Sequence, residues 1–193
     1  MRRVCVFCGS STGRDPRYAD ATTALARGLV SRGIGVVFGG GSVGLMGVLA
    51  DEAIAAGGSV VGVIPHGLAA RELAHRGVRD MRVVATMHAR KALMADLADG
   101  FVALPGGTGT FEELFEVATW GQLGIHRKPI GILNVAGYYD PLVALVDHAV
   151  AEGFVSAANR RLLSVDDEPG RLLDRMAAHE PPPAPAWITP EET

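Results

Sequence analysis

Short apolar runs alternate with longer helix-period segments along nearly the whole chain, and this alternation limits the fold more than any other feature. Seven runs have the length of strands, at residues 4–8, 36–38, 60–64, 82–84, 101–104, 130–133 and 162–165. Apolar residues at helical spacing predict helices at residues 18–31, 43–56, 86–98, 110–123, 139–152 and 169–178. Strands separated by helices pair in parallel, because a parallel neighbour needs a crossover connection. The sequence therefore predicts an α/β fold, a doubly wound, Rossmann-like parallel sheet with helices on both faces.

The extent of the domain follows from length and composition. The chain has 193 residues and 48% of them are hydrophobic, which suits one domain with a core that buries a sheet on both faces. We predict a single α/β domain over residues 1–179. Residues 180–193 include Pro-Pro-Pro-Ala-Pro-Ala, and we predict a disordered tail there, because proline resists both helix and sheet. Residues 66–80 are polar and are predicted to be irregular.

The net charge of the chain and the short length of its apolar runs argue against two classes of partner, nucleic acids and membranes. The formal net charge is -3 and no block of like charge occurs, so we expect no nucleic acid polymer as a partner. No apolar run approaches the roughly 18 residues that a membrane-spanning helix needs, so we expect no membrane association. The start, Met1-Arg2-Arg3, leads directly into a strand-like run and lacks the apolar stretch of a signal peptide. We therefore expect a cytoplasmic protein.

The two cysteines, Cys5 and Cys8, have the C-x-x-C spacing that is found in redox and metal sites. They lie in the first predicted strand, where residues three apart point to opposite faces of the sheet. Two sulfur atoms on opposite faces are poorly placed to pair or to share a metal. We predict two buried core cysteines, and we expect no metal site, because the six histidines show no metal-ligand spacing either.

Three glycine-rich turns follow predicted strands, at residues 8–11, 38–47 and 104–110. In parallel α/β sheets ligands bind beyond the carboxyl ends of the strands, where glycine lets the backbone approach a ligand closely. The helix after such a turn directs free N–H groups and a positive dipole end at the ligand, which suits phosphate. The turns therefore predict a site for a phosphorylated, nucleotide-like molecule. Its candidate residues are Ser10, Gly40, Gly41, Gly106, Gly107, Thr108, Gly109 and Thr110.

Two familiar nucleotide motifs fit these turns poorly. No turn continues into the Gly-Lys-Ser/Thr of a P-loop. The pattern Gly39-x-Gly41-x-x-Gly44 has the letters of a dinucleotide fingerprint, but it follows the second strand. The third strand ends at Ile64-Pro65 without an acidic residue that could bind a ribose. The sequence therefore does not favour NAD binding.

Several charged and polar residues near the turns also have ordinary structural explanations. The spacing of Thr110 and Glu113 is that of a capping box, with Thr110 as the N-cap, and taken alone it favours that interpretation. Arg90 and Lys91 taken alone are typical of a solvated basic patch on a helix. Thr119 taken alone is typical of a helix hydroxyl that bonds its own backbone. The pattern itself leaves these alternatives open.

The chain resembles the LOG family of cytokinin riboside 5'-monophosphate phosphoribohydrolases, whose members are often mislabelled as lysine decarboxylases. Residues 105–113, Pro-Gly-Gly-Thr-Gly-Thr-Phe-Glu-Glu, match the family signature P-G-G-x-G-T-x-x-E. The further matches follow in family order from about residue 4 to about 165. They are Cys8-Gly9-Ser10, Gly39-Gly40-Gly41, Gly44-Leu45-Met46-Gly47, Val63-Ile64-Pro65, Met87-His88, Arg90-Lys91 and Thr119-Trp120-x-Gln122-Leu123-Gly124.

The resemblance implies hydrolysis of the N-glycosidic bond of N6-modified adenosine 5'-monophosphates and of AMP. The products would be the free base and ribose 5-phosphate, without a metal or cofactor, and the protein would be a homodimer. The catalytic pair would be Arg90 and Glu113. The substrate-binding residues would be Ser10, Gly40, Gly41, Glu72, Met87, Lys91, Gly106, Gly107, Thr108, Gly109, Thr110 and Thr119.

Two other functions compete with hydrolysis. Similar folds serve as carriers of the molybdenum cofactor and as nucleotide sensors, which would keep the glycine turns but would not need Arg90 and Glu113. A lysine decarboxylase would use pyridoxal phosphate on a lysine, and the only lysines, Lys91 and Lys128, lie in no recognisable cofactor motif. The presence of both Arg90 and Glu113 favours the hydrolase.

Overall fold

Seven parallel strands form one sheet in the computed structural model, which describes residues 1–70 and 73–181. The strands are β1 (Arg3–Phe7), β2 (Gly35–Phe38), β3 (Val60–Pro65), β4 (Asp80–Val84), β5 (Gly100–Ala103), β6 (Ile130–Leu133) and β7 (Leu163–Asp166). Their order in the sheet is β4-β3-β2-β1-β5-β6-β7, and every neighbouring pair is parallel. The predicted doubly wound parallel sheet is confirmed.

The helices cover both faces of this sheet. They are α1 (Arg17–Ser31), α2 (Gly44–Ala55), α3 (His66–Ala69), α4 (Met87–Leu97), α5 (Thr108–Leu123), α6 (Asp140–Ala151), α7 (Ala157–Arg160) and α8 (Pro169–Ala177). Buried residues of α1, α2 and α8 form one hydrophobic cluster with the sheet, and those of α4 and α5 form a second. The predicted irregularity of residues 66–80 is wrong at α3, because a four-residue helix is too short to show a period in the sequence.

Strand β1 shows why these apolar runs are nearly continuous. Val4 and Val6 belong to the first hydrophobic cluster, whereas Cys5 and Phe7 belong to the second. The strand is buried from both sides, as a parallel sheet covered by helices requires. Cys5 and Cys8 are both free, buried and in different clusters, which confirms the prediction of core cysteines. Burial raises the pKa of both thiols well above its usual range.

The start of α5 differs from the prediction. The helix begins at Thr108, and its N-cap is Gly107, which has an extended backbone conformation. Thr110 is therefore the third residue inside the helix, and the predicted capping box of Thr110 and Glu113 is wrong. The absence of a side chain at Gly106 lets Thr110 pack inside the first turn of α5, because a Cβ atom at position 106 would lie 2.1 Å from the Thr110 Oγ1. Glu113 is consequently free to face another partner.

The sheet has its topological switch point at β1, which pairs with β2 on one side and with β5 on the other. The loops that leave these strands diverge there and open a crevice, which is where ligands bind in such sheets. Glu72 and residues 182–193 of the predicted tail lie outside the described residues. Among the residues that are described, none of the helices has the length and apolar character needed to cross a membrane.

Candidate active site

A cavity of ≈ 410 Å³ lies at the carboxyl ends of the central strands, where the three glycine-rich turns meet. Polar atoms on one side come from the third turn and from α4 and α5. An apolar wall of the cavity is formed by Val43, Met46, Ile64, Leu68 and Leu73. Leu73 reaches the cavity because its carbonyl accepts a hydrogen bond from the backbone N–H of Ser42, 2.9 Å away. The cavity at the switch point beside β1 therefore has both polar and apolar walls.

Arg90, on α4, is buried at the edge of this cavity. Its Nε donates to the carbonyl oxygen of Val63 at 3.1 Å, and its Nη2 donates to that of Gly39 at 3.4 Å. A Cβ atom at position 39 would lie 1.9 Å from Nη2, so any side chain there would displace the guanidinium from this position. Two strand-end carbonyls thus fix the guanidinium and leave Nη1 directed at Glu113, whose Oε1 lies 3.4 Å away.

Glu113, on the first turns of α5, is the only buried carboxylate among the described residues that line the cavity. Burial raises the pKa of its carboxyl group to about 7, and the nearby Arg90 guanidinium opposes that rise. The carboxylates of Glu112 and Glu116 raise this pKa further, whereas Lys91 lowers it. A carboxyl group with a pKa near neutrality can both accept and release a proton at physiological pH.

The third glycine-rich turn presents the N-terminus of α5 to the cavity. Gly107, Thr108, Gly109 and Thr110 all line it. The first N–H groups of a helix have no partner inside the helix, and within the described part of the chain no side chain caps α5. Free N–H groups and the positive end of the helix dipole are what a phosphate group binds.

A second cavity of ≈ 280 Å³ adjoins the first and shares part of its lining. Gly9, Ser10 and Gly107 line both cavities. Gly106 and Tyr138 line the second cavity but not the first. Gly106 is packed against the first turn of α5, because a Cβ atom there would lie 2.1 Å from Oγ1 of Thr110.

Most of the predicted site residues converge on the cavities. The first cavity contains Ser10, Gly41, Arg90, Gly107, Thr108, Gly109, Thr110 and Glu113, and the second contains Gly106. Gly40 lies behind the wall, with φ +74° and with its carbonyl bonded to the backbone N–H of His75. Met87 lies one helical turn before Arg90, and its sulfur is 4.0 Å from the Arg90 Nη1.

Lys91 and Thr119 are predicted site residues that line neither cavity of the described chain. The Lys91 ammonium is buried and forms ion pairs with the carboxylates of Glu112 and Glu116. Thr119 is exposed, and its hydroxyl donates to the Phe115 carbonyl at 2.7 Å, as the structural alternative predicts. Their direct contact with substrate stays a prediction.

The sequence analysis did not identify Tyr138 and Tyr139. Both follow β6, and their hydroxyl groups donate to the carbonyl oxygens of Gly106 and Leu104 in the third glycine-rich turn. The only signal in the sequence is two adjacent tyrosines after a predicted strand, at the level of the sheet where ligands bind. Aromatic residues at such a position are equally typical of the core.

Comparisons with known proteins agree on the fold and on the family. The family model described as "Possible lysine decarboxylase" matches residues 46–176. A "Probable cytokinin riboside 5'-monophosphate phosphoribohydrolase" of Oryza sativa subsp. japonica is 52% identical over 183 residues, which cover 95% of this chain and 74% of that protein. A cytokinin riboside 5'-monophosphate phosphoribohydrolase of Arabidopsis thaliana is 51% identical over 181 residues, 94% of this chain and 85% of the relative.

A solved structure extends the comparison to more distant proteins. The molybdenum cofactor binding protein of the phototrophic bacterium Rippkaea orientalis superimposes with a TM-score of 0.70. The match covers 91% of this chain and 95% of that chain, at 18% sequence identity. An identity this low shows a shared fold alone, because one fold carries many functions.

The two lysines do not fit the decarboxylation that the family model's description suggests. Pyridoxal phosphate enzymes need a lysine amine that is free to form a Schiff base beside the substrate. The Lys91 ammonium is held by two carboxylates, and Lys128 Nζ donates to the Ala95 carbonyl at 2.8 Å. Neither side chain lines either cavity in the described part of the chain. The residues present do not provide a pyridoxal phosphate site.

Proposed function

The chain belongs to the family of cytokinin riboside 5'-monophosphate phosphoribohydrolases, as the predicted resemblance indicated, and from this premise we propose how its site works. The protein is an N-glycosidase. It hydrolyses the N-glycosidic bond of adenosine 5'-monophosphates, N6-modified or unmodified, and releases the free base and ribose 5-phosphate. The observation that carries this proposal is the buried Arg90–Glu113 pair, which shares one cavity with the free N-terminus of α5.

The 5'-phosphate binds at the N-terminus of α5, against the backbone N–H groups of residues 107–110. This contact lies at a distance from the bond that breaks, so its binding energy orients the ribose without taking part in the bond cleavage. The apolar wall of Met46, Ile64, Leu68 and Leu73 faces the same space and receives the base with its N6 substituent. An unphosphorylated nucleoside loses the anchor and reacts poorly.

Cleavage of the bond between C1' and the base nitrogen leaves positive charge on the ribose ring, as in other glycoside hydrolyses. The Glu113 carboxylate lies in the cavity and stabilises this charge. A water molecule adds its oxygen to C1', and Glu113 accepts the proton that the water loses. The base departs with the bonding electron pair and takes up the proton that Glu113 returns, so the OH of the water ends on C1' and its hydrogen on the base. The raised pKa of Glu113, about 7, suits a group that accepts and then returns a proton.

Arg90 acts through its charge and its fixed position. A guanidinium group stays protonated at all physiological pH values, so it is a poor proton donor. Its Nη1 lies 3.4 Å from the Glu113 carboxylate and opposes the effect of burial on the pKa of that group. Arg90 therefore keeps a useful fraction of Glu113 ionised at neutral pH and holds the carboxylate in place.

The remaining properties implied by the family stay proposals for this chain. We expect catalysis without a metal or cofactor, a cytoplasmic location and a homodimer. Sedimentation of the purified protein measures its oligomeric state. Activity that survives a chelator and dialysis would support the metal-independent reaction, whereas loss that a divalent cation restores would contradict it.

The alternative is a carrier that binds a nucleotide or molybdenum cofactor without changing it. Incubation with isopentenyladenosine 5'-monophosphate and AMP, in the presence of a chelator, distinguishes the two functions. Chromatography follows the free base, and a coupled assay follows ribose 5-phosphate. We expect equal amounts of both products from the hydrolase. Stable binding of the nucleotides without any release of base would favour the carrier.

A further inference from the structure

Three consecutive carbonyl groups of the third glycine-rich turn each accept a hydrogen bond from another part of the chain. The Tyr139 hydroxyl donates to the Leu104 oxygen at 2.7 Å, and the Gly9 N–H donates to the Pro105 oxygen at 3.1 Å. The Tyr138 hydroxyl donates to the Gly106 oxygen. The backbone that leads into α5 is therefore held by the segments that follow β1 and β6.

The peptide between Gly106 and Gly107 needs such a restraint more than any other in the turn. Gly106 leaves no room for a side chain, because a Cβ atom would lie 2.1 Å from the Thr110 hydroxyl oxygen. A peptide between two glycines has little steric resistance to rotation. Rotation of this peptide would replace the Gly107 N–H by the Gly106 carbonyl oxygen, which repels a phosphate.

The Tyr138 hydroxyl fixes that peptide in the orientation that a phosphate requires. In a planar trans peptide the carbonyl and the N–H point in opposite directions. With the Gly106 oxygen bonded to Tyr138 on the side of the second cavity, the Gly107 N–H points away from Tyr138. Gly107 also lines the first cavity, where the N-terminus of α5 lies. The Tyr138 hydroxyl thus leaves the Gly107 N–H available to a phosphate and keeps the Gly106 carbonyl oxygen away from it.

A tight turn after β6 brings both tyrosines to this position. Ala136 and Gly137 have φ angles of 53° and 74°, in the left-handed region, so the chain reverses abruptly. The side chain of Asn134 closes the turn, because its Oδ1 accepts the Tyr139 N–H at 2.7 Å and its Nδ2 donates to Asp140. The rings then pack edge to face, with centroids 5.1 Å apart.

We propose that Tyr138 and Tyr139 are positioning residues that hold the 5'-phosphate-binding turn in its binding conformation through their hydroxyl groups. This inference rests on the proposed function for the identity of the ligand. Among the described residues that line the first cavity, which contains Arg90 and Glu113, neither tyrosine is present. Loss of a hydroxyl therefore weakens the binding of every phosphorylated ligand and changes the chemical step little.

The test compares Tyr138→Phe and Tyr139→Phe with the wild-type protein. Phenylalanine keeps the ring, so the packing of Tyr138 on Phe111 and Tyr139 is retained. Tyr18→Phe is the matched control: Tyr18 packs edge-on against Tyr138, but among the described residues its hydroxyl donates to none of the turn carbonyls. The measurements are KM and kcat for AMP, and calorimetric Kd values for ribose 5-phosphate, with thermal melting to verify folding.

We expect Tyr138→Phe to raise KM for AMP and the Kd for ribose 5-phosphate about tenfold, the effect of one hydrogen bond to a binding element. We expect kcat to stay within about twofold, and Tyr18→Phe to match the wild type. Tyr139→Phe changes KM in the same direction and also melts earlier, because Tyr139 is buried. A purely structural role would lower the melting temperature and leave KM and Kd unchanged.

The result separates this inference from the proposed function. Wild-type hydrolysis with unchanged KM and Kd in Tyr138→Phe would overturn the inference and leave the hydrolase intact. A wild-type protein without hydrolysis would contradict the proposed function, and the Kd values would still decide the role of the tyrosines. Wild-type protein that does not bind ribose 5-phosphate at all would overturn the inference as well.

Discussion

Nη1 of Arg90 lies 3.4 Å from Oε1 of Glu113, and only 11% and 10% of the two side chains are exposed. The residues come from different helices, α4 and α5, which meet over the same face of the sheet. We propose that this pair of a buried cation and a buried carboxylate, beside the N-terminus of α5, carries out the reaction. Changes to either partner should therefore affect the reaction in different, measurable ways.

Glu113→Gln removes the proton acceptor and the negative charge while it keeps the shape of the side chain. We expect kcat for AMP to fall by about 10²–10⁴-fold, the range for loss of a general base, while AMP still binds. Steady-state kinetics and calorimetry measure the two effects. Glu152→Gln, at an exposed position, is the control and should keep wild-type kcat. An active Glu113→Gln would contradict the assignment.

The pH dependence of kcat/KM should show the ionisation of Glu113. Burial raises the pKa of this group to about 7, and the reaction needs the ionised form, so activity should rise with pH through about 7. Arg90 lowers this pKa, so Arg90→Gln should move the rising limb to higher pH by about one unit or more. The second ionisation of the substrate phosphate, near pH 6, also gives kcat/KM a rising limb, and Arg90→Gln does not move that limb. A limb that stays in place in Arg90→Gln would contradict the role of the ion pair.

Lys91 offers a way to separate substrate contact from an electrostatic role. Its ammonium is bound by Glu112 and Glu116, and it lowers the pKa of Glu113. If Lys91 acts through these carboxylates, Lys91→Gln should move the rising limb of kcat/KM to higher pH and change KM at high pH by less than about twofold. Direct binding of substrate by Lys91 would instead raise KM at every pH. Lys128→Gln, at the other lysine, should leave the pH profile unchanged.

Gly39 gives the Arg90 guanidinium the space that it occupies. A Cβ atom at position 39 would lie 1.9 Å from Nη2, so Gly39→Ala should displace the guanidinium from Glu113. We expect a loss of kcat/KM of about 10²-fold, as for other small displacements of catalytic groups, with retained folding. Gly28→Ala is the control, because a Cβ atom at this position of α1 makes only ordinary contacts, with Arg32 and Leu173. That substitution should stabilise the protein by about 0.5–1 kcal/mol without changing activity. Full activity in Gly39→Ala would show that the observed position of Arg90 is not required.

The sequence predicts the sheet and the glycine-rich turns well, because both depend on local patterns. Continuous apolar runs indicate strands that are buried on two faces, and glycines mark the turns that follow them. The pattern misplaces the start of α5, because the spacing of Thr110 and Glu113 is also that of a capping box. The structure begins the helix at Thr108 and pairs Glu113 with Arg90.

The contacts that join distant elements could not be predicted from local patterns. Arg90 and Glu113 are 23 positions apart in the numbering, on two helices whose packing depends on the whole sheet. The hydrogen bond from Tyr138 to Gly106 spans 32 residues, and the one from Tyr139 to Leu104 spans 35. Only the resemblance to a known family predicts that Arg90 and Glu113 act together, and the structure shows the two side chains paired. No local pattern distinguished the two tyrosines from ordinary core residues.

The comparison of AMP with adenosine tests the central claim most directly, because the two differ only in the 5'-phosphate. The account predicts release of adenine from AMP by the wild-type protein, with kcat/KM at least about 10²-fold higher than for adenosine. It also predicts one ribose 5-phosphate for each adenine. Equal rates on both compounds would contradict the phosphate anchor at α5. Binding of AMP without any release of adenine would contradict the hydrolase itself.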